Sequence, residues 1–160
     1  MSSPEHDVFK NKVRVRVCGI HTMNNSILLV KHKNIGPDGI YWLPPGGGVE
    51  FGDTMQKNLI REIKEETGLM VEIGDMACVH EYLQPPLHAI EVFFHVFNVH
   101  GPLRKGIDPE LSHTDQIIEE VRYVTFDELL VIPFEHKHPI LHHLNSADDL
   151  QKLPYYLNKN

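Results

Sequence analysis

A chain of 160 residues, 41% hydrophobic and 23% charged, has the length and composition of one compact domain that buries its core without disulfides or structural metal. Its formal net charge of −7 excludes broad nucleic-acid binding, which needs a basic surface against the phosphates. One small phosphorylated substrate stays compatible, because a divalent metal can supply the missing positive charge.

In chain order, Met1 to Lys12 is polar and carries no secretory signal. No apolar run approaches the ~18 residues of a membrane span, so a soluble, cytoplasmic protein is expected. Val13 to His21 alternates Val13, Val15 and Val17 with Arg14 and Arg16 and then turns apolar, which predicts a strand with one exposed edge or face. Lys10 to Arg16, the most basic stretch, is expected to be that solvated edge. Asn24-Asn25 supplies a turn, and Ser26 to His32 is the returning strand of a hairpin. Asn34 to Gly39 is a loop, and Tyr41-Trp42-Leu43 is stopped by Pro44-Pro45. Cys18 and Cys78 stand in strand-like runs without a Cys-x-x-Cys pair and are expected to be buried reduced thiols.

After Gly46, Gly47 and Gly48, a helix is predicted from Asp53 or Thr54 to Thr67. Either residue can cap it, Asp53 with Gln56 has capping-box spacing, and Gly68 closes it. Leu69 to Ile73 and Met76 to Leu83 are strand, or one strand interrupted at Gly74-Asp75. His88 to His100 is the clearest strand, rich in β-branched and aromatic residues. Gly101 to Gln116 is a polar loop, and Ile117 to Phe126 contains another strand. Asp127 to Val131 is a short helix, Pro139 to Leu144 belongs to a C-terminal helix, and Leu153 to Asn160 is a loosely attached tail. Strands bracketing one strongly marked helix predict a mixed sheet covered on two sides.

The chemistry concentrates in Gly46 to Leu69. On a helix, Glu62, Glu65 and Glu66 stand at i, i+3 and i+4 and fall within a ~100° sector. Like charges at that spacing repel unless a cation neutralises them, and carboxylate oxygens are the ligands Mg²⁺ and Mn²⁺ prefer. The glycines ahead of the helix allow a tight backbone path beside a ligand. By itself the acidic cluster is more often the pattern of a solvated helix face.

The full stretch resembles the Nudix box, Gly-x5-Glu-x7-Arg-Glu-U-x-Glu-Glu-x-Gly-U with U aliphatic. Gly47, Arg61, Glu62, Ile63, Glu65, Glu66, Gly68 and Leu69 match at the required spacing, and Asp53 stands where the pattern has Glu. With Leu43 to Gly46 and the flanking strands, the resemblance extends over about residues 12 to 145, and a single Nudix domain over 1–160 is expected. It implies an α/β fold, an α/β/α sandwich with a mixed β-sheet in which the box forms a loop–helix–loop. It also implies Mg²⁺, with Mn²⁺ as a substitute, held by Glu65, Glu66, Glu62 and the Gly46 carbonyl. Arg61 would pair with Asp53 to anchor the loop, an anchor weakened because Asp is a methylene shorter. Asn58 replaces a small apolar residue, a change expected to affect packing.

The reaction implied is hydrolysis of a phosphoanhydride bond in a nucleoside diphosphate derivative, such as a nucleotide sugar, ADP-ribose or a nucleoside triphosphate. The candidates for the general base are Glu62, and Glu119 or Glu120 ahead of the last strand, with Glu120 slightly preferred to Glu119. Tyr82 and Pro85-Pro86 lie near where related enzymes mark their substrate, yet a turn needs Pro as often. Tyr41, Trp42 and Phe93 could stack on a base but fit a core equally. His136, His138, His142 and His143 are expected at an exposed helix end. The partner expected is a small nucleotide-derived substrate, without membrane or stable nucleic-acid binding, and a homodimer is compatible. The alternative is a Nudix-fold module that binds a nucleotide or nucleotide sugar without cutting it; such modules usually lose a box glutamate.

Overall fold

A computed structural model describes residues 9–107 and 116–158. Most of the polar N-terminal stretch, the centre of the expected Gly101–Gln116 loop and the last two residues lie outside them. The described chain forms two sheets. One is mixed and five-stranded, in the order β5 (Gly46–Gly48), β1 (Val13–Ile20), β7 (Leu87–His100), β6 (Met70–Gln84), β9 (Tyr156–Asn158). The other is antiparallel, with β3 (Ser26–Lys33) at its centre pairing β2 (Thr22–Met23), β4 (Ile40–Leu43) and β8 (Ile118–Thr125). The helices are α1 (Met55–Thr67) and α2 (Phe126–Val131).

The alternation within β1 and β3 sorts side chains to two cores. Val17 and Leu28 face α1 and pack with Leu59 and Ile63 of that helix. Cys18, Ile20, Ile27 and Leu29 face the other way and pack with Phe126 and Leu129 of α2 and with Ile140 and Leu141. Because both faces are covered, Val17–Ile20 and Ile27–Val30 are buried without interruption, which is why they appear in the sequence as continuous apolar runs rather than alternating ones. This is the expected helix–sheet–helix layering on a mixed sheet.

Four expectations change. The hairpin at Asn24-Asn25 exists, with both asparagines at positive φ (49° and 57°) as a two-residue turn of this hand requires. Its first arm is only Thr22–Met23, however; β1 leaves for the other sheet. Gly46–Gly48 is an edge strand antiparallel to Arg16–Cys18 rather than a loop. Pro139–Leu144 does not continue as a helix, since Pro139–Leu141 is a single 3₁₀ turn. In the tail, Tyr156–Asn158 pairs in parallel with Val79–Glu81 at the sheet edge. The two expected strands over 69–83 are one, β6, Met70–Gln84, with register shifts that include one between Ile73 and Met76. Among the described residues no helix is long and apolar enough to cross a membrane.

Candidate active site

Thr54, not Asp53, caps α1: its hydroxyl accepts from the Lys57 N–H at 3.2 Å. At the other end Gly68 takes φ 74°, the left-handed closure that favours glycine. Leu59 and Ile63 are fully buried against the sheet, and this fixes the helix's rotation. Glu62, Glu65 and Glu66 are thereby turned along the edge of β5. The Gly46 N–H donates to Glu66 Oε2 at 2.8 Å, and a Cβ on Gly47 would run into the Glu62 carboxyl. The glycines are thus required by contact: carboxylates and strand backbone meet where no side chain fits.

Arg61 lies between the carboxylates. It donates to Glu65 Oε2 at 3.0 Å and Glu62 Oε1 at 2.9 Å, and pairs with Glu50 Oε1 at 3.0 Å. The expected partner Asp53 is elsewhere, 3.9 Å from Lys57. The reason is Asn58, fully buried in the first half of α1. Its Oδ1 accepts from the Glu50 N–H at 2.9 Å and from Arg61 Nη2 at 3.3 Å, while its Nδ2 donates to the Thr54 carbonyl at 3.0 Å. That arrangement brings Glu50 to Arg61 and leaves the shorter Asp53 outside. Asn58 therefore organises the loop rather than merely altering packing, and Glu50 is a site residue the sequence reading missed.

The distal carboxylates are not gathered with the others. Glu120 is the ladder partner of Lys31 and accepts from Arg122 Nε at 2.8 Å, and Glu119 pairs with Lys31 at 3.0 Å. Arg122 in turn lies over the Trp42 ring, on the sheet face turned away from α1. Neither glutamate lines the cleft that holds Glu62, Glu65 and Glu66. Trp42 and Phe93 are core residues.

That cleft, about 750 Å³, runs around the exposed edge of β5. Its acidic part is Glu50, Glu62 and Glu65 around the Arg61 guanidinium, with Glu66 held by the Gly46 N–H beside them. Lys12, Arg14 and Arg16 also line the cleft. His32 closes the inner end, its Nε2 3.8 Å from Glu66 Oε1 and without a hydrogen-bond partner. Burial, reinforced by Arg16, lowers its pKa to about 3, so the ring is neutral at pH 7. Hard carboxylate oxygens crowded onto one helix turn could hold a divalent cation such as Mg²⁺ or Mn²⁺.

A second group with metal-ligand residue types, His80, Glu91 and His138, lies on the other face of the sheet. His138 was expected at an exposed helix end; it is buried. Its Nδ1 accepts from the Ile140 N–H at 3.2 Å, so its proton sits on Nε2, which donates to Glu91 Oε2 at 2.7 Å. His80 Nδ1 is 2.8 Å from the same oxygen. With the Nε2 lone pair of His138 thus taken up by a proton, this is a hydrogen-bonded cluster and fits a metal poorly. Burial works against the Glu91 carboxylate, but His138, His80 and Arg16 outweigh it and hold its pKa well below the usual range.

The NUDIX domain family matches residues 10–144. An ADP-ribose pyrophosphatase of Methanocaldococcus jannaschii is 34% identical over 125 residues, covering 77% of this chain and 68% of that protein. An m7GpppN-mRNA hydrolase of Xenopus laevis is 38% identical over 73 residues, which is 42% of this chain and only 24% of the relative. Among solved structures, a MutT NUDIX hydrolase from Burkholderia pseudomallei superposes with a TM-score of 0.61 at 24% identity, covering 72% of this chain and 85% of that one. At that identity the likeness concerns the fold.

Proposed function

This chain belongs to the Nudix family, and from that premise we propose that it is a divalent-metal-dependent hydrolase of the phosphoanhydride bond in a nucleoside diphosphate derivative, with ADP-ribose the first substrate to test. The observation that carries the reading is that Glu62 and Glu66 lie against the glycine strand while Arg61 ties Glu65 to Glu62 beside them. ADP-ribose comes first because the relative named for that activity aligns over most of both chains.

Glu65, Glu66 and Glu62, with the Gly46 carbonyl, would hold Mg²⁺. When bound, the ion offsets charge on the pyrophosphate oxygens and acidifies water. The protein's own part is to keep the three carboxylates aligned. Arg61 does this from within the cluster, taking one oxygen each of Glu62 and Glu65. The Gly46 N–H does it from the strand, holding Glu66. With Glu119 and Glu120 paired to Lys31 and Arg122 outside the cleft, Glu62 is the carboxylate positioned to accept a proton from the attacking water.

The test is a substrate panel of ADP-ribose, nucleotide sugars, dinucleoside polyphosphates and nucleoside triphosphates with Mg²⁺ or Mn²⁺. Glu62→Gln is expected to lower kcat by ~10²–10⁴, and Glu65→Gln and Glu66→Gln to abolish most turnover. Undiminished product release in the last two variants would sink the mechanism. Nucleotide binding without turnover of any substrate would identify a binding module instead.

A further inference from the structure

The sheet carries a row of polar side chains that the proposed hydrolysis does not use. Gly48, Arg16, Glu91 and His80 are register partners across β5, β1, β7 and β6, one strand spacing of ~4.8 Å apart. The row starts at the glycine edge and ends in the buried histidine cluster. Glu91 gives one oxygen to His80 and His138 and the other to Arg16, at 3.5 Å from Nη1. Two histidine donors on Oε2 fix the carboxylate, and the carboxylate in turn fixes where the guanidinium can lie.

Arg16 is under-bonded for a buried arginine. Its side chain is 20% exposed, its single ion pair is long, and its Nε is buried without an acceptor. A guanidinium presents five donors in a planar fork matched to phosphate or carboxylate oxygens. What remains exposed lines the same cleft as Glu62, Glu65 and Glu66. Arg14 follows on the same wall, its guanidinium 4.1 Å from the centre of the Phe9 ring, and Lys12 lies beyond. A cleft lined by both carboxylates and guanidinium groups suits a ligand with several charged oxygens. The expected solvated strand edge at Lys10 to Arg16 is, at Arg16, an inner wall.

We propose that Arg16 binds a non-bridging oxygen of the substrate's phosphate chain, and that the buried Glu91–His80–His138 cluster is the device that positions it. Arg16 is then a substrate-binding residue, and Glu91 a positioning residue acting through it. The proposal rests on the hydrolase reading for the substrate class, but its geometry stands on the metal-free protein. The Arg16–Glu91 pair itself carries no net charge. Its hold on phosphate therefore comes from directed hydrogen bonds, and placement matters more than total charge.

The test uses the full chain freed of metal with EDTA, with ADP and adenosine as probes and affinity read by calorimetry. Their affinity ratio isolates the phosphate contribution. The wild type is expected to prefer ADP, and Arg16→Met to reduce that preference at least about tenfold, the scale of one charge-assisted hydrogen bond, while adenosine binding is kept. Arg16→Lys, which keeps the charge but not the fork, should retain part of the preference; it also serves as the readable variant if the methionine form does not fold. Glu91→Gln removes a negative charge, so a role through net charge alone raises the ratio, whereas a positioning role lowers it. A wild type that does not distinguish ADP from adenosine, an unchanged ratio in Arg16→Met, a loss confined to adenosine, or a higher ratio in Glu91→Gln would each overturn the proposal. Turnover with Mg²⁺ is measured separately. A collapsed ratio in a protein that hydrolyses nothing leaves this inference standing and removes the hydrolase reading, and an unchanged ratio in an active enzyme does the reverse.

Discussion

Arg61 pairs with Glu50 rather than Asp53 because a third residue arbitrates. Asn58 accepts the Glu50 N–H and an Arg61 N–H on one oxygen, so the glutamate is delivered to the arginine before Asp53 could reach it. The two places where the chain departs from the Nudix pattern, Asp53 and Asn58, are therefore one adjustment. Asp53 faces solvent and Lys57, so Asp53→Asn should change stability by no more than about 0.5 kcal/mol. Asn58→Ala strands the Glu50 N–H and loosens Arg61 at a buried position, so a loss of about 1–3 kcal/mol is expected. Urea unfolding of both variants checks the contrast, and equal effects would mean that Asn58 does not organise the loop. The three glutamates were legible in the sequence because their spacing is local to one helix. Arg16, Glu91, His80 and His138 were not, since their meeting is made by strand register and by a 3₁₀ turn, and no local pattern in the sequence records either.

The same distinction holds among the elements. Helix α1 was readable to within a residue because its own caps, Thr54 and Gly68, mark it. Strand β5 was not, because Gly-Gly-Gly has no strand propensity and becomes a strand only through the backbone of β1. That strand exists to bring peptide groups against carboxylates. Gly47 has no unusual φ, so what excludes a side chain there is the Glu62 carboxyl itself. Gly47→Ala should therefore fold but displace Glu62 or push β5 from α1. Divalent-metal affinity, followed by calorimetry with Mn²⁺, is expected to fall at least about tenfold, the lower end of the effect of disturbing the groups that orient metal ligands. Gly52→Ala serves as a control, since nothing lies within 4 Å of its Cβ position, although its φ of 94° disfavours a side chain. It should cost some stability and leave Mn²⁺ affinity unchanged. Equal Mn²⁺ affinity in wild type and Gly47→Ala would remove the steric argument for the glycine strand.

For the molecule as a whole, burying ionisable groups on both sides of the sheet ties stability to pH. Burial lowers the pKa of His138 against the pull of Glu91, and lowers that of His32 to about 3. An unfolded chain protonates histidine near 6.5, so below that pH the unfolded state binds more protons than the folded one. Each of these histidines then withdraws up to ~1.4 kcal/mol of stability per pH unit. Glu91 acts in the same direction at lower pH. Held below its ordinary value, it contributes stability above the unfolded carboxylate range and loses it as pH falls through its folded value. The two effects add, so acid should unfold this protein early. The urea midpoint is expected to be level above pH 7, to begin falling near pH 6.5 and to steepen below pH 5. His138→Gln removes one of the two histidines and should flatten the fall between pH 6.5 and 5 without abolishing it, because His32 remains. A midpoint that stays level from pH 7.5 to 5 would mean that His32 and His138 titrate in the folded protein as they do in the unfolded chain, against the burial that their positions impose.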